Sequence, residues 1–446
     1  MKFSPVTAPS PAPSAGFTRR SALGLGAALT TLAAPALVGC APKSTGPVRF
    51  WAMGREGEVV TELLTDFARE QPHIEVRVEQ LPWSAAHEKL LTAFAGDSTP
   101  DIAQVGNTWL PELVALGALL PLDKLLQTTP SVNRPDYFDG IWDTNVMDGQ
   151  VFGVPWYVDT RLLFYRRDLL AQAGFDAPPR DWAQWLAALT AIKRLVGPER
   201  YALLLPLNEY DPLVALALQQ PGEPLLRDGG RYGNFRGDGF KNTLDFYLAM
   251  FSQRLAPPAS NNEIANVWNE FGRGYFSFYI TGPWNIGEFK RRLPAHQQLS
   301  WMTAPLPGPT GPGASIAGGS SLAIFKRSPR QVSAWKVAEF LSRPAVQQRF
   351  HALTGNLPPR RSAWAGEASS ALSGDIYTRA FGDQLERVRA VPKVPEWERI
   401  GNEIRIVVER VVQGDLPANA APAELDKRAD RILEKRRWML DKKGRA

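Results

Sequence analysis

The sequence has few of the residues that build metal clusters or disulfide frameworks. One Cys among 446 residues excludes a disulfide scaffold and any cysteine zinc cluster. Four His, at positions 73, 87, 296 and 351, are too dispersed to form a ligand motif, so neither a metal nor a cofactor is expected. Catalytic signatures are lacking as well. There is no G-x-S-x-G elbow, phosphate-binding loop or C-x-x-C, and His87-Glu88 has no second His at metalloprotease spacing. A glycosidase escapes this test, because two carboxylates at the working separation leave no sequence spacing to recognise. It stands as the alternative, together with a cell-surface carbohydrate-binding protein. At 44% hydrophobic and 22% charged residues, the chain is neither disordered nor a multi-span membrane protein. Half of the formal charge of +6 comes from Lys2, Arg19 and Arg20 in a leader without acids. Elsewhere Lys and Arg interleave with Asp and Glu, which argues against nucleic-acid binding.

The leader is informative. Arg19-Arg20 precedes a soft apolar stretch to Val38 that Gly24, Gly26 and Pro35 interrupt, too broken to span a membrane and similar to a twin-arginine export signal. Leu37-Val38-Gly39-Cys40 resembles a lipobox, which makes the lone Cys40 a lipidation site. The expected division is a signal peptide over 1–40, a tether over 41–46, and a mature chain held to the membrane through lipid alone.

Along the mature chain, strand and helix alternate. Val48 to Ala52 reads as a strand, Glu58 to Ala68 as a helix with Val59, Leu63, Leu64 and Phe67 on one face, Ile74 to Val78 as a strand, and Ser84 to Phe94 as a helix. Ile102 to Val105 reads as a third strand and Trp109 to Leu116 as a helix stopped by Gly117. This predicts a parallel-type sheet covered by helices. Two extended apolar segments, Val151 to Trp156 and Leu162 to Tyr165, read as crossing strands. The remainder is more helical, with helices at 181–195, 241–254 and 263–271, a turn at Thr281-Gly282-Pro283-Trp284, and closing helices at 396–413 and 423–438.

The abundance to explain is fourteen Trp. Trp182 and Trp185 share a helix with Leu186, Leu189 and Ile192, so they read as packing. Trp51, Trp83, Trp109, Trp156-Tyr157 and Trp284 stand beside polar residues at expected strand ends, where ligands of open α/β sheets sit. Such a lining suits a sugar: its C–H faces stack on indole, and its hydroxyls donate to carboxylates and accept from amides. Asp159 lies between two apolar segments and requires a partner, either Arg161 or a ligand hydroxyl.

Several ordered motifs together carry a resemblance. Pro100-Asp101-Ile102 through Trp109, Tyr157-Val158-Asp159-Thr160 with Phe164-Tyr165-Arg166-Arg167-Asp168, Gly282-Pro283-Trp284, and Ala334 to Leu341 with Thr354 to Pro358 resemble the extracellular solute-binding proteins of carbohydrate ABC importers, and most closely the maltose and trehalose binders. The resemblance implies an α/β, two-lobed periplasmic binding protein fold of type II, with a hinge of crossing strands and a ligand cleft between lobes. It implies lobes over 47–155 with 301–341 and over 156–300 with 342–446. It further implies a monomer that binds an α-glucoside, whether maltose, trehalose or a malto-oligosaccharide, and delivers it to permease subunits, without catalysis. Carried over singly, the sugar contacts are Glu58, Asn107, Tyr157, Asp159 and Trp284, with Gly319 and Ser320 from the loop that offers backbone groups; Trp109, the aromatic beside Asn107, joins them on its own residue pattern. Asn107 stands where many members have Asp, and Val391 stands where related binders have Arg before Pro392.

Overall fold

The computed structural model describes residues 46–264, 266–365, 372 and 374–443. The paired arginines, Cys40 and the tether up to residue 45 fall outside the described residues.

Strand β1 (Val48–Met53) runs straight into helix α1 (Gly54–Glu70), because Gly54 adopts φ +48° and turns the chain at once. The helix buries Val59, Val60, Leu63, Leu64 and Phe67 on the sheet. It thus starts four residues ahead of the expected Glu58. Strand β2 (Val76–Leu81), helix α2 (Trp83–Ala95), strand β3 (Ile102–Gly106) and the short helix α3 (Leu110–Ala115) follow in the expected alternation. Strand β4 (Val154–Tyr157) ends this part, and after four intervening residues β5 (Leu162–Arg166) opens a second sheet.

The second part contains α4 (Trp182–Val196), β6 (Leu203–Leu204), α5 (Asp211–Ala217), α6 (Asp238–Ser252), β7 (Phe278–Thr281), α7 (Trp284–Arg292) and β8 (Trp301–Ala304). The chain then returns through β9 (Ser315–Ile316) to β10 (Ser320–Ile324), α8 (Gln331–Leu341) and α9 (Pro344–Thr354). It leaves once more for β11 (Val388–Arg389), α10 (Trp397–Val412), α11 (Ala421–Ile432) and α12 (Glu434–Lys443).

Two sheets organise two lobes. The first has the order β2-β1-β3-β10-β4, with β1 parallel to both neighbours and β10 antiparallel to β3 and β4. The second has the order β8-β5-β7-β6. Both faces of each sheet are buried. Phe50, Phe67, Trp156, Trp335 and Phe340 fill one side of the first sheet, and Trp51, Met53, Leu90 and Leu110 the other. The second lobe packs Trp185, Tyr247 and Trp397 on one side and Phe164, Phe289 and Trp301 on the other.

The two places where the expected lobe boundaries shift follow from pairing and packing. Trp301 to Ala304 pairs with β5, in the second sheet, instead of opening the returning first-lobe segment. Helix α9, expected in the second lobe, puts Phe350 into the first-lobe core, where its ring stacks on Trp156 at 4.6 Å. The expected helix over 423–438 is interrupted at Leu433, and the expected helix over 263–271 begins at Val267, where Asn266 accepts from the Asn269 N–H at 2.9 Å.

Three segments cross between the lobes, at 158–161, 317–319 and 355–358, and they are stapled together. The Val158 N–H donates to the Leu357 carbonyl at 2.8 Å and the Asp159 N–H to the Gly318 carbonyl at 3.4 Å. The buried Ser315 hydroxyl donates to the Arg161 carbonyl at 2.8 Å and accepts from the Arg161 N–H at 3.2 Å. Two glycines make this close approach possible. A Cβ on Gly318 would lie 2.1 Å from Asp159 Oδ1, and one on Gly319, which has φ +116°, would lie 2.3 Å from the Tyr157 carbonyl oxygen.

Candidate functional site

A cavity of about 440 Å³ opens beside these crossings, lined from both lobes, and its size is that of a small-ligand site. The first lobe contributes the N-terminus of α1 through Glu56, the start of α2 through Trp83, and the segment after β3 through Asn107 and Trp109. The second lobe contributes Tyr210, Asp211 and Trp284. The crossings supply Asp159, Arg161, Gly318 and Gly319. Strand ends and helix starts therefore converge at the hinge, where open α/β sheets place their ligands.

Most of the expected residues meet here, but the first-lobe acid is a different one. Glu58 points outward: its carboxylate accepts from Arg55 Nη1 at 2.9 Å and from Gln80 Nε2 at 3.2 Å, and these bonds hold it below the usual carboxylate range. Glu56 takes the cleft position, is 8% exposed, and accepts from Asn356 Nδ2 at 2.6 Å. The reason is helical rotation. Two residues turn a helix by about 200°, so an acid facing the cleft and one two positions on cannot share a side.

The aromatics divide sharply. Trp51 and Trp156 turn into the core, 4% and 1% exposed, because they point from opposite faces of a sheet that is packed on both. Trp83 and Trp109 meet edge to face at 5.6 Å on the first-lobe wall. Behind Trp109, His87 stacks at 4.9 Å with its Nε2 2.9 Å from Glu112 Oε2, which fixes the indole from the back. Across the cavity Trp284 is 42% exposed. It is not in a turn, as the Gly-Pro pair suggests, but is the first residue of α7; a Cβ on Gly282 would sit 2.0 Å from its ring, so glycine there makes room for the indole. The Arg161 guanidinium lies 4.7 Å from the Trp284 ring centroid.

The polar groups carry unused hydrogen-bonding capacity. Asn107, 6% exposed, accepts from Ser321 Oγ at 3.0 Å, while its Nδ2 donor has no partner among the described residues. Asp159 accepts no hydrogen bond from the described residues, and its nearest cation is Arg161 Nη1 at 3.9 Å; Arg161 Nη2 is 3.5 Å from Asp211 Oδ1. Burial pushes the Asp159 carboxyl up, against the opposing pull of Arg161, and Asp211 and Glu56 add to the rise. Burial also raises Glu209 beside the cavity. Such groups are stabilised by donors brought to them.

Tyr157 is among the residues that line the cavity, while its hydroxyl joins a buried network: Gln104 Nε2 donates to it at 3.3 Å and Ser320 Oγ lies 3.1 Å away. Burial, and then Glu56 and Asp159, push the phenol well above its ordinary value, so it stays protonated. Ser320 is fully buried in this network and does not line the cavity, whereas Gly319 does. Asn285, next to Trp284, is spent on Trp268 Nε1 and Thr281 Oγ1, both at 2.7 Å. Sequence reasoning does not reach Glu56, Tyr210, Asp211 or Asn356 as site residues. The Asp211-Pro212 pair does mark a helix start, where an acid is favoured, and Gly54 marks the early start of α1.

Two α/β lobes, three stapled crossings and a ligand-sized cleft at the hinge define a two-lobed binding protein of the periplasmic type. The chain belongs to the bacterial extracellular solute-binding protein family, whose pattern matches residues 53–348. It is 55% identical to the sugar-binding protein MalE from the phytopathogen Xanthomonas citri, with a TM-score of 0.86 over 89% of this chain and 99% of that one. It is also similar to a putative binding protein of Brucella abortus, at 27% identity over 85% of this chain and 91% of the relative. The diacetylchitobiose binding protein DasA of Streptomyces coelicolor is 23% identical over 83% of this chain and 86% of its own. Among the described residues no helix is long and apolar enough to cross a membrane.

Proposed function

We propose that this chain is the substrate-binding component of a carbohydrate ABC importer, and that it takes an α-glucoside of about two rings, such as maltose or trehalose, in the interlobe cleft. The observation that carries this reading is the facing of indoles across one cavity, Trp83 and Trp109 from the first lobe and Trp284 from the second, with acids and an amide of unused capacity between them. Indoles present flat apolar plates to sugar C–H faces, Asp159, Asp211 and Glu56 accept hydroxyl protons, and Asn107 Nδ2 donates to a hydroxyl oxygen. The sugar-binding MalE from Xanthomonas citri, so close in sequence and in fold, supports the same ligand class.

Function then follows from contacts on both lobes. A sugar touching Trp109 and Trp284 together favours lobe closure about the stapled crossings, and the permease subunits read the closed form. Gly318 and Gly319 keep the crossings close to the sugar, and Ser320 acts indirectly by holding the Tyr157 hydroxyl. The protein acts outside the cytoplasmic membrane as a monomer, tethered by lipid at Cys40. Titration calorimetry with a panel of disaccharides tests the reading: one-to-one binding of an α-glucoside, with the sugar recovered unaltered, is expected. Hydrolysis of the sugar, or no heat with any member of the panel, would refute it.

A further inference from the structure

The C-terminal helices carry a surface that the sugar site does not use. Lys427, Arg431, Lys435, Trp438 and Lys442 follow one another at spacings of four, four, three and four residues, across α11, the turn at Leu433 and α12. Leu433 keeps right-handed geometry at φ −83° and ψ 0°, so the two helices continue the same winding. At about 100° per residue these five positions fall within an arc of about 80° and form a stripe about 22 Å long.

The stripe is open to solvent. Trp438 is 57% exposed and Met439 beside it 40%, while Lys442 Nζ sits 4.0 Å from the Trp438 ring centroid. Arg431 and Lys435 make no ion pair among the described residues, and Lys427, with a side chain 70% exposed, only approaches Glu424 at 4.0 Å. Residues outside that arc hold the helix to the lobe: Arg436 Nε donates to the Gly230 carbonyl at 3.1 Å, Arg437 Nη1 to the Arg231 carbonyl at 3.0 Å, and Asp441, about 40° from the edge of the stripe, pairs with Arg231. Glu434 and Asp441 flank the stripe, and Glu424 falls within its arc, where it accepts from Arg428 Nε at 2.7 Å. Four cations around an exposed indole make a basic patch of the kind that anionic lipid headgroups attract. The cations meet lipid phosphates, and the amphipathic ring rests at headgroup depth.

We propose that this stripe docks the second lobe on an anionic phospholipid surface. The docking adds to any lipid anchor and leaves the sugar cleft untouched, because no stripe residue lines it. The test uses the full chain with Cys40→Ser, so that acylation cannot contribute. It is sedimented with vesicles of phosphatidylcholine alone or with a third of the lipid replaced by phosphatidylglycerol. Binding to the anionic vesicles is expected to exceed binding to the neutral ones by at least about tenfold, and to be lost at high salt. Lys435→Glu/Lys442→Glu is expected to abolish the difference while sugar affinity and the circular dichroism spectrum stay as in the parent. Trp438→Ala is expected to weaken binding to the anionic vesicles by a smaller factor. Equal partitioning of the parent between the two vesicle types, or unchanged binding of the charge-reversed variant, would overturn the proposal. So would a defect of that variant in permease stimulation in neutral-lipid vesicles, which would assign the stripe to a protein partner.

Discussion

Replacing Trp284 by Ala removes the aromatic plate on the second-lobe side of the cleft. It is 42% exposed, with its ring against the Arg161 guanidinium and close to Gly282, and it belongs to none of the buried clusters, so the free protein loses little packing. Stability should change by no more than about 1 kcal/mol. Binding is different. A pyranose laid on one indole face removes roughly 80 Å² of apolar surface from water, or about 2 kcal/mol. Favourable ring geometry adds about 0.5–1.5 kcal/mol. Against this, Arg161 must give up or share the ring face, which takes back about 0.5–1 kcal/mol. The balance of about 2 kcal/mol corresponds to a rise in Kd of about thirtyfold. Titration calorimetry with the best disaccharide of the panel, paired with thermal unfolding of the free variant, reads both quantities. An affinity within about threefold of the parent, with unchanged unfolding, would remove Trp284 from the site. A fall in Tm beyond about 10 °C would instead make it a packing residue.

Three further substitutions separate the roles of the acids. Asp159 is held above its ordinary value of 3.8 by burial. Its charged form therefore costs the fold stability as pH rises through the raised value, and that stability is fully present below 3.8. A sugar hydroxyl needs the same carboxylate ionised, so affinity should fall as pH drops through the raised pKa. Asp159→Asn should then raise Tm at neutral pH, weaken binding by about tenfold or more, and flatten the acid limb of the affinity profile, as measured by calorimetry from pH 4 to 7. Retention of the acid limb in the variant would exclude Asp159 as its source. Glu56→Gln and Glu58→Gln test which face of α1 meets the ligand: the first should weaken binding by about fivefold or more, and the second by less than about twofold. The reverse order would return Glu58 to the site.

The legible parts of the sequence were those in which one residue type answers to one local constraint. Alternating strands and amphipathic helices located the first lobe, because the periodicity of buried positions is a local property of the chain. Trp284 after Gly-Pro and Asp159 between two apolar strands stood out for a similar reason, each being out of place in its own neighbourhood unless something distant satisfies it. The lobe boundaries were less legible. Whether Trp301 to Ala304 joins one sheet or the other, and whether α9 packs on α1, depends on partners more than a hundred residues away in sequence.

The same physics set the limits at the site. Which tryptophans are plates and which are core cannot be read from a strand alone when both faces of its sheet are covered: Trp51 and Trp156 are buried on opposite sides of one sheet, and Trp83 escapes only because it begins a helix. The exchange of Glu58 for Glu56 turns on a helix starting at Gly54, a rotation fixed by where the backbone leaves β1. By itself the sequence determined the class of fold, the chemical character of the lining and several of its members, since these follow from residue type and short-range spacing. Only the tertiary structure decided which acid faces the cleft, how Arg161 and Trp284 share one wall, and which buried donors and acceptors remain unused, because each of these is a matter of direction in space between segments that the chain brings together only when both lobes have folded.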